Sequence, residues 1–408
     1  MSATPMESLL RRVMGDRPRT AMIEVADRCN ENCVHCYQIQ GQKGEMSTEE
    51  VLDLLEQLQR AGVLFLTLSG GEITLRSDFL VILQRARELR FVVDIFTNGL
   101  RIDRQLAEEI SKHHPRIVEI SLYSSRPEKH DWITRVPGSF ERTTAAIAFL
   151  REFGVPVKVK SPIFSVTYDE HEELEALAEG WGALMNWDTS LRAREDGDRT
   201  PERLQPAPEK VDAFQRKVYP STRTVDARDP VGPVCKASKV LHIEPNGQVH
   251  PCSMLQVPLG DVRDGLVAGT ESKDARFLRQ LVWRDLPDCS RCAIANVCSR
   301  CHAQALNEVG DALAPYPSAC ANAIRRWQEV TGKSRAATDS GAVGPFDVVE
   351  GRLERKARAP LTEAQRSAYQ DHPWLRKVAR GAGPRVEPGQ LVQLRRPGRR
   401  ANTEAVPK

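Results

Sequence analysis

From about Ala21 to Ser190 the chain alternates short aliphatic runs with stretches whose apolar residues recur at helical spacing. Met22–Ala26, Val63–Ser69, Phe91–Thr97, Ile117–Leu122, Val155–Lys160 and Met185–Ser190 have the length and composition of strands. Ser47-Thr48-Glu49-Glu50 predicts a capping box, with Ser47 capping a helix and Glu50 reaching back to it. Val51, Leu54, Leu55 and Leu58 then repeat on one helical face, and Gly62 supplies a stop. Leu80, Ile82, Leu83 and Ala86 predict the next helix, and Thr143–Phe153 another. Strands alternating with helices imply an α/β fold with a parallel sheet and right-handed crossovers. Six units fall short of an eight-stranded barrel, so a partial (β/α)6 barrel is expected. Barrels of this kind keep their chemistry at the C-terminal ends of the strands. Cys29, Gly70-Gly71-Glu72 and Asn98 all fall there.

After Val231 the pattern changes to short β-like runs, turns and cysteines. The 408 residues suffice for two domains and a sizeable core. The expected division is an N-terminal extension over 1–20, a barrel over 21–215, a cysteine-rich domain over 216–335 and a basic tail over 336–408. Pro- and charge-rich Thr200–Pro208 and the stretch Ser334–Gly344 mark the boundaries. From Gly341 onward there are 14 Lys and Arg against 7 Asp and Glu, so the tail is +7 and the rest −4 within the formal net charge of +3. Arg352, Arg355, Lys356, Arg358, Arg395, Arg396, Arg399 and Arg400 fit a solvated, partly disordered extension or a docking arm for an acidic partner. No apolar run approaches the roughly 18–20 residues that span a bilayer, and Met1–Thr20 lacks the apolar core of a signal peptide. A cytoplasmic protein is expected.

Ten cysteines change the picture: three lie between Cys29 and Cys36, seven between Cys235 and Cys320, and none in between. Without an export signal, metal ligation is preferred to disulfides. Cys29-x3-Cys33-x2-Cys36 offers three thiolates for three corners of a [4Fe–4S] cluster and leaves the fourth iron open to a substrate or cofactor. A structural zinc would need a fourth Cys or His. His35 lies inside the motif, with its side chain expected to turn away.

This motif, followed directly by Tyr37, resembles that of the radical S-adenosylmethionine (SAM) superfamily. The resemblance continues in Gly70-Gly71-Glu72, which in the family holds the methionyl amine of SAM through backbone and carboxylate. Ile73 stands where many members have proline. Thr97-Asn98-Gly99 closes the third strand in the family manner. By the same resemblance Ser121 lies near the ribose or carboxylate of SAM, and Arg135 pairs with that carboxylate. Coincidence of all these features, each at a strand end, is hard to arrange by chance.

The later cysteines, Cys235, Cys252 after Gly247, Cys289-x2-Cys292-x5-Cys298-x2-Cys301 and Cys320, resemble the SPASM extension of radical enzymes. The last internal spacing is one residue shorter than the family's, with only Ser299-Arg300 between the cysteines. By position, Cys289, Cys292, Cys298 and Cys320 would bind an outer auxiliary cluster fully. Cys235, Cys252 and Cys301 would bind an inner one, whose fourth position is open or taken by another ligand such as His242 or His250. Zinc is the competing occupant, since Cys-x2-Cys pairs also bind it.

The resemblance implies reductive cleavage of SAM to a 5′-deoxyadenosyl radical that takes hydrogen from a substrate, with electrons from a donor such as flavodoxin or ferredoxin. Members with SPASM extensions commonly modify peptides or proteins, so maturation of a ribosomally made peptide is the leading expectation, with a small-molecule substrate as the other possibility. About 28 residues precede Cys29, few for a peptide-recognition domain, so a separate leader-recognition protein is expected. Sulfatase maturation fits less well, because Ser253 follows Cys252 where that branch has a basic Asp. Tetrapyrrole side-chain modification is the alternative within enzymes, and a non-catalytic iron–sulfur scaffold or electron carrier is the alternative outside them. The basic tail invites an RNA reading, but aromatic interleaving is sparse and a nucleic-acid partner is not expected. Tyr123, Tyr168 and Trp187 are expected to pack rather than to line the cavity. The bond formed and the acid or base that assists it have no motif of their own.

Overall fold

The computed structural model describes residues 18–218, 234–235, 240–332, 345–349, 352–357 and 359–376. Most of the expected N-terminal extension, the boundary at 334–344 and the tail beyond 376 lie outside them. Six strands form the barrel: β1 (Thr20–Ala26), β2 (Phe65–Gly70), β3 (Val92–Thr97), β4 (Ile117–Ser121), β5 (Val157–Pro162) and β6 (Leu184–Asp188). They pair in parallel in chain order. The connecting helices are α1 (Thr48–Arg60), α2 (Phe79–Glu88), α3 (Arg104–Lys112), α4 (Pro127–Thr134), α5 (Ser139–Glu152), α6 (His171–Gly180) and α7 (Pro208–Val218). No pairing closes β6 onto β1, so the barrel is partial, an open (β/α)6 arrangement.

Strand alternation explains the core. Ile23, Leu66, Leu68, Val93, Ile95, Val118, Ile120 and Val159 are fully buried in one cluster with Val51, Leu54, Leu55 and Leu58 of α1. The capping box at Ser47 is present in both directions, with Glu50 N–H on Ser47 Oγ and Ser47 N–H on Glu50. Such a cap is worth about 1 kcal/mol to a helix. The opposite strand faces are ionic. Lys158 Nζ lies 2.8 Å from Glu119 on the neighbouring strand, and Arg116 Nε donates to Asp94 at 2.8 Å.

The sheet does not end with the barrel. β7 (Val240–Ile243) runs parallel to β1 on its free side, with Met22 opposite His242. β8 (Gln248–His250) and β9 (Gly260–Asp261) follow antiparallel, giving nine strands in the order β6-β5-β4-β3-β2-β1-β7-β8-β9. The sequence predicts six strands and a separate domain; the structure joins the second unit to the first through backbone pairing.

Beyond β9 the chain is built of short turns around cysteines and of helices that include Lys273–Gln280, His302–Val309 and Pro317–Thr331. The stretch read as tail contributes, from 346 to 376, a hairpin (β10, Phe346–Val349; β11, Arg352–Arg355) and a helix at Glu363–Asp371. Phe346 is buried with Ile294, Val297 and Trp327 against Cys292, Cys298 and Cys320. Leu375 is buried with Leu255 and Leu286. This part of the basic segment therefore covers cysteines.

Candidate functional site

The first three cysteines lie on the loop that leaves the C-terminal end of β1. Asp27 shapes that loop: its Oδ2 accepts from Lys43 N–H at 2.7 Å and Gly44 N–H at 3.1 Å. Asn32 N–H and Val34 N–H donate to Thr134 and Ile133 at 3.0 and 2.9 Å, strapping the loop to the end of α4. None of the three is joined in a disulfide among the described residues. Burial pushes Cys29 up to about 12 and Cys33 well above the usual thiol range. Cys36 acts electrostatically on Cys29, and Cys29 and Cys36 act on Cys33. A buried thiol is held as thiolate by a bound cation, so this donor set has the chemistry of metal ligands. His35 turns away as expected, its ring centroid 4.6 Å from Tyr123 and 5.0 Å from Phe164.

The Gly-Gly-Glu segment at the end of β2 presses directly on this loop. Gly71 N–H donates to Ala26 at 2.7 Å and Glu72 N–H to Arg28 at 2.8 Å. Gly70 has φ +154°, and a Cβ there would stand 2.6 Å from the Ala26 carbonyl oxygen. At Gly71 a Cβ would meet the Arg28 carbonyl oxygen at 2.3 Å and Cys29 Cβ at 3.2 Å. Gly71→Ala is therefore expected to push the cysteine loop outward, destabilising the protein by about 1–3 kcal/mol and lowering iron bound at the first site. A thermal melt with an iron assay checks this; an unchanged melt and full iron would mean the approach is not tight.

Glu72 is fully buried. Its Oε1 accepts from Thr74 N–H (3.0 Å), Thr74 Oγ1 (2.6 Å) and Thr97 Oγ1 (2.7 Å), and its Oε2 from Asn98 N–H (2.7 Å). The carboxylate thus ties β2 to β3, and Oε2 retains room for one more donor. Ile73, in the place of the family's proline, starts a short 3-10 turn and is buried in the core. Asn98 Nδ2 donates to Asn30 at 2.7 Å and lies 3.8 Å from Cys29 Sγ. The strand-end motifs recognised in sequence meet at one edge.

Ser121 ends β4 and bonds the Tyr123 hydroxyl. Arg135 caps α4 in the left-handed region at φ 62°, its guanidinium 5.5 Å from the Trp132 ring centroid. Tyr123 packs on His130 and Phe164, and Tyr168 and Trp187 on Phe214, so all three aromatics pack as expected.

Other groups at this end, apart from the candidate ligands His242 and His250, have no sequence signal. Tyr37 donates to Glu24 Oε1 at 3.2 Å, and His242 Nε2 lies 3.1 Å from the same oxygen. Burial works to raise the Glu24 pKa, yet His242 and Lys43 hold it below its usual range. Lys43 bridges Glu195 at 2.7 Å and Glu244 at 2.8 Å. Burial opposes ionisation of Glu244, while His250 and Lys43 hold it down at about 2. This network spans β1, the cysteine loop and β7–β8. Only pairing over some 200 residues assembles it, which explains why motif reading passes over it.

The second cysteine group gathers in two sets. Burial pushes Cys298 up to about 12, with Cys289, Cys320 and Cys292 adding to the effect; Cys252 senses Cys301 instead. Cys252, Cys289, Cys298 and Cys301 border one apolar cluster and Cys292, Cys298 and Cys320 the next. Cys235 is half-buried, and its neighbour Val234 packs on the first of these clusters. Arg300, from the shortened spacing, is buried, with Nη2 on the Ala312 and Ala314 carbonyls at 2.6 and 2.9 Å. Its charge favours thiolate at Cys289 and Cys298. Among the described residues no three His, Cys, Asp or Glu side chains converge as around a single ion. Thiolates on one zinc share a single centre about 2.3 Å away, whereas a four-iron cube carries them on separate irons.

Residues 23–179 match the profile of the Radical SAM superfamily. The chain is 28% identical over 290 residues to mycofactocin maturase MftC of Mycobacterium ulcerans, covering 67% of this chain and 76% of that protein. It is 25% identical over 341 residues to AdoMet-dependent heme synthase of Methanosarcina barkeri, covering 74% and 97%. It is 24% identical over 333 residues to PqqA peptide cyclase of Rhizobium meliloti, covering 76% and 88%. Among solved structures, Streptococcus suis SuiB bound to precursor peptide SuiA superposes with a TM-score of 0.58 at 15% identity, over 74% of this chain and 76% of that one. That likeness concerns the fold. No helix among the described residues is long and apolar enough to cross a membrane.

Proposed function

We propose that the chain is an enzyme of the radical SAM superfamily and that it matures a ribosomally made peptide. The observation that carries the reading is the meeting of Cys29, Cys33 and Cys36 with Gly70-Gly71-Glu72 and Asn98 at one strand edge, with β7 and β8, which lead to Cys252, joined to the same sheet. Two relatives support the substrate class, one a maturase and one a peptide cyclase.

In this reading Cys29, Cys33 and Cys36 hold one [4Fe–4S] cluster. Cys289, Cys292, Cys298 and Cys320 hold an outer auxiliary cluster, and Cys235, Cys252 and Cys301 an inner one. When bound, the first cluster and SAM supply the one-electron cleavage that makes a hydrogen-abstracting radical. Gly70 and Gly71 let backbone approach the cofactor's amino-acid end, and Glu72 fixes that backbone. Ser121 and Arg135 stand at the strand and helix ends beside it, placed to hold hydroxyl and carboxylate groups. The packed ring cluster of His35, Tyr123, Phe164 and His130 seals one flank from water. An external one-electron donor, a separate leader-recognition protein and a cytoplasmic setting complete the proposal.

Anaerobic reconstitution with iron and sulfide, with 5′-deoxyadenosine assayed in the same sample, tests it. About twelve irons per chain are expected from three four-iron clusters, together with cleavage of SAM. About four irons with zinc present would leave the barrel chemistry and remove the auxiliary clusters. The heme synthase relative favours a tetrapyrrole substrate as the second reading. Co-purified porphyrin, with no product from candidate precursor peptides, would establish it over the first.

A further inference from the structure

Charged side chains on neighbouring strands pair with one another. Lys158 has Glu119 and Arg116 has Asp94. Lys160 lies one pleat nearer the C-terminal end of β5, opposite Ser121 on β4 and Asn186 on β6. Its Nζ rests 4.3 Å from the centroid of the Phe96 ring. Among the described residues no carboxylate stands within ion-pair distance of it. The two acids that act on it through space are engaged elsewhere: Glu119 by Lys158, and Asp188 by the N–H and hydroxyl of Ser190. Burial pulls its pKa below the usual lysine range, and Lys158 and Arg192 add to the depression. The ammonium has lost hydration without receiving an anion.

Arg192 is another cation for which no ion pair with a carboxylate is found among the described residues. Its guanidinium lies 3.3 Å from the Tyr37 ring centroid, and Nη1 donates to the Ser253 carbonyl at 2.7 Å. It therefore bridges the residue after Cys36 and the residue after Cys252. Arg192 keeps its other guanidinium nitrogens for a ligand. The charge of Arg192 acts on Lys160 through space, and a protein that keeps both partly buried cations leaves the compensating negative charge to something that binds.

We propose that Lys160 and Arg192 form the receptor for a carboxylate of the peptide substrate. A fork from Arg192 and a point charge from Lys160 suit one carboxylate. Ser121, in register with Lys160, places this receptor at the strand ends where the cofactor site is formed. The proposal rests on the maturase reading for the nature of the substrate. The carboxylate is either a side chain or a chain terminus, and SAM also carries one.

The test is protection of Lys160 from acetylation by an N-hydroxysuccinimide ester, read by peptide mass spectrometry on the reconstituted holoenzyme, with exposed Lys112 as internal reference. The probes are three blocked tripeptides: acetyl-Gly-Glu-Gly-amide, acetyl-Gly-Gln-Gly with a free carboxylate end, and acetyl-Gly-Gln-Gly-amide. One or both carboxylate peptides should slow labelling about fivefold when present at about four times their Kd, by simple mass action. The neutral peptide and SAM alone should leave it unchanged, and R192M should reduce the protection. Whichever carboxylate peptide protects identifies the source. Equal protection by the neutral peptide, protection by SAM alone, or none at all would overturn the proposal. Labelling needs neither reduction nor turnover. A protein that fails to cleave SAM yet shows carboxylate-specific protection would therefore refute the radical reading alone.

Discussion

Replacing Cys29, Cys33 and Cys36 together by Ala is expected to remove all detectable formation of 5′-deoxyadenosine while iron on the second cysteine group is retained. The loop that bears them is held by backbone: by Asp27, by the strap to Thr134 and Ile133, and by the bonds of Gly71 and Glu72. Cys33 adds packing beside Tyr123, Ile133 and Phe164, so the fold should lose only about 1–2 kcal/mol. Loss of about four irons per chain should accompany loss of cleavage, as one four-iron cluster requires. Iron, sulfide and nucleoside measured on the same anaerobic sample check both. Retained cleavage would refute the assignment of this loop outright.

The second large effect is expected at Glu72. In Glu72→Ala the N–H groups of Thr74 and Asn98 lose their acceptor inside the core, and the hydroxyls of Thr74 and Thr97 must find others. Two orphaned buried donors should cost about 2–5 kcal/mol, because each loses protein and water partners alike. Glu72→Gln keeps one acceptor but turns an amide N–H₂ towards a donor, so an intermediate loss is expected. Denaturant midpoints measured without cofactor separate the brace from a binding role. An unchanged midpoint in Glu72→Ala together with lost SAM affinity would show that the carboxylate serves the ligand alone.

The barrel is legible in the sequence because its signals are local. Each of the six aliphatic runs overlaps its strand with end shifts of one or two residues, and the Ser47 capping box is read from four consecutive residues. Arg104–Lys112 and Pro127–Thr134 escape notice: they are short, and the second is only weakly amphipathic. β7 is harder still, for four residues carry little pattern and their partner, β1, lies some 200 residues earlier. The strand-end motifs are recognised one by one, yet Glu72 shows its role only when β2 and β3 stand side by side. Lys160 is invisible in sequence for a related reason. A lysine in a strand is ordinary, and its distinction is the partner it lacks. The segment from 346 to 376 reads as a tail because its charge dominates its composition, whereas in the structure two apolar residues, Phe346 and Leu375, anchor it.

The pairing of β7 with β1 bears on how this protein can be taken apart. β1 carries the first cysteines at its end and has strands on both sides. Removing everything after α7 would turn it into a bare edge, with unsatisfied backbone groups along Thr20–Ile23 ready to recruit another chain. The barrel half alone should therefore self-associate, and the whole protein should melt without a separate early transition for its C-terminal part. Exchange of that part between relatives is then constrained by sheet register as well as by cysteine spacing: a graft has to bring a strand that fits beside β1.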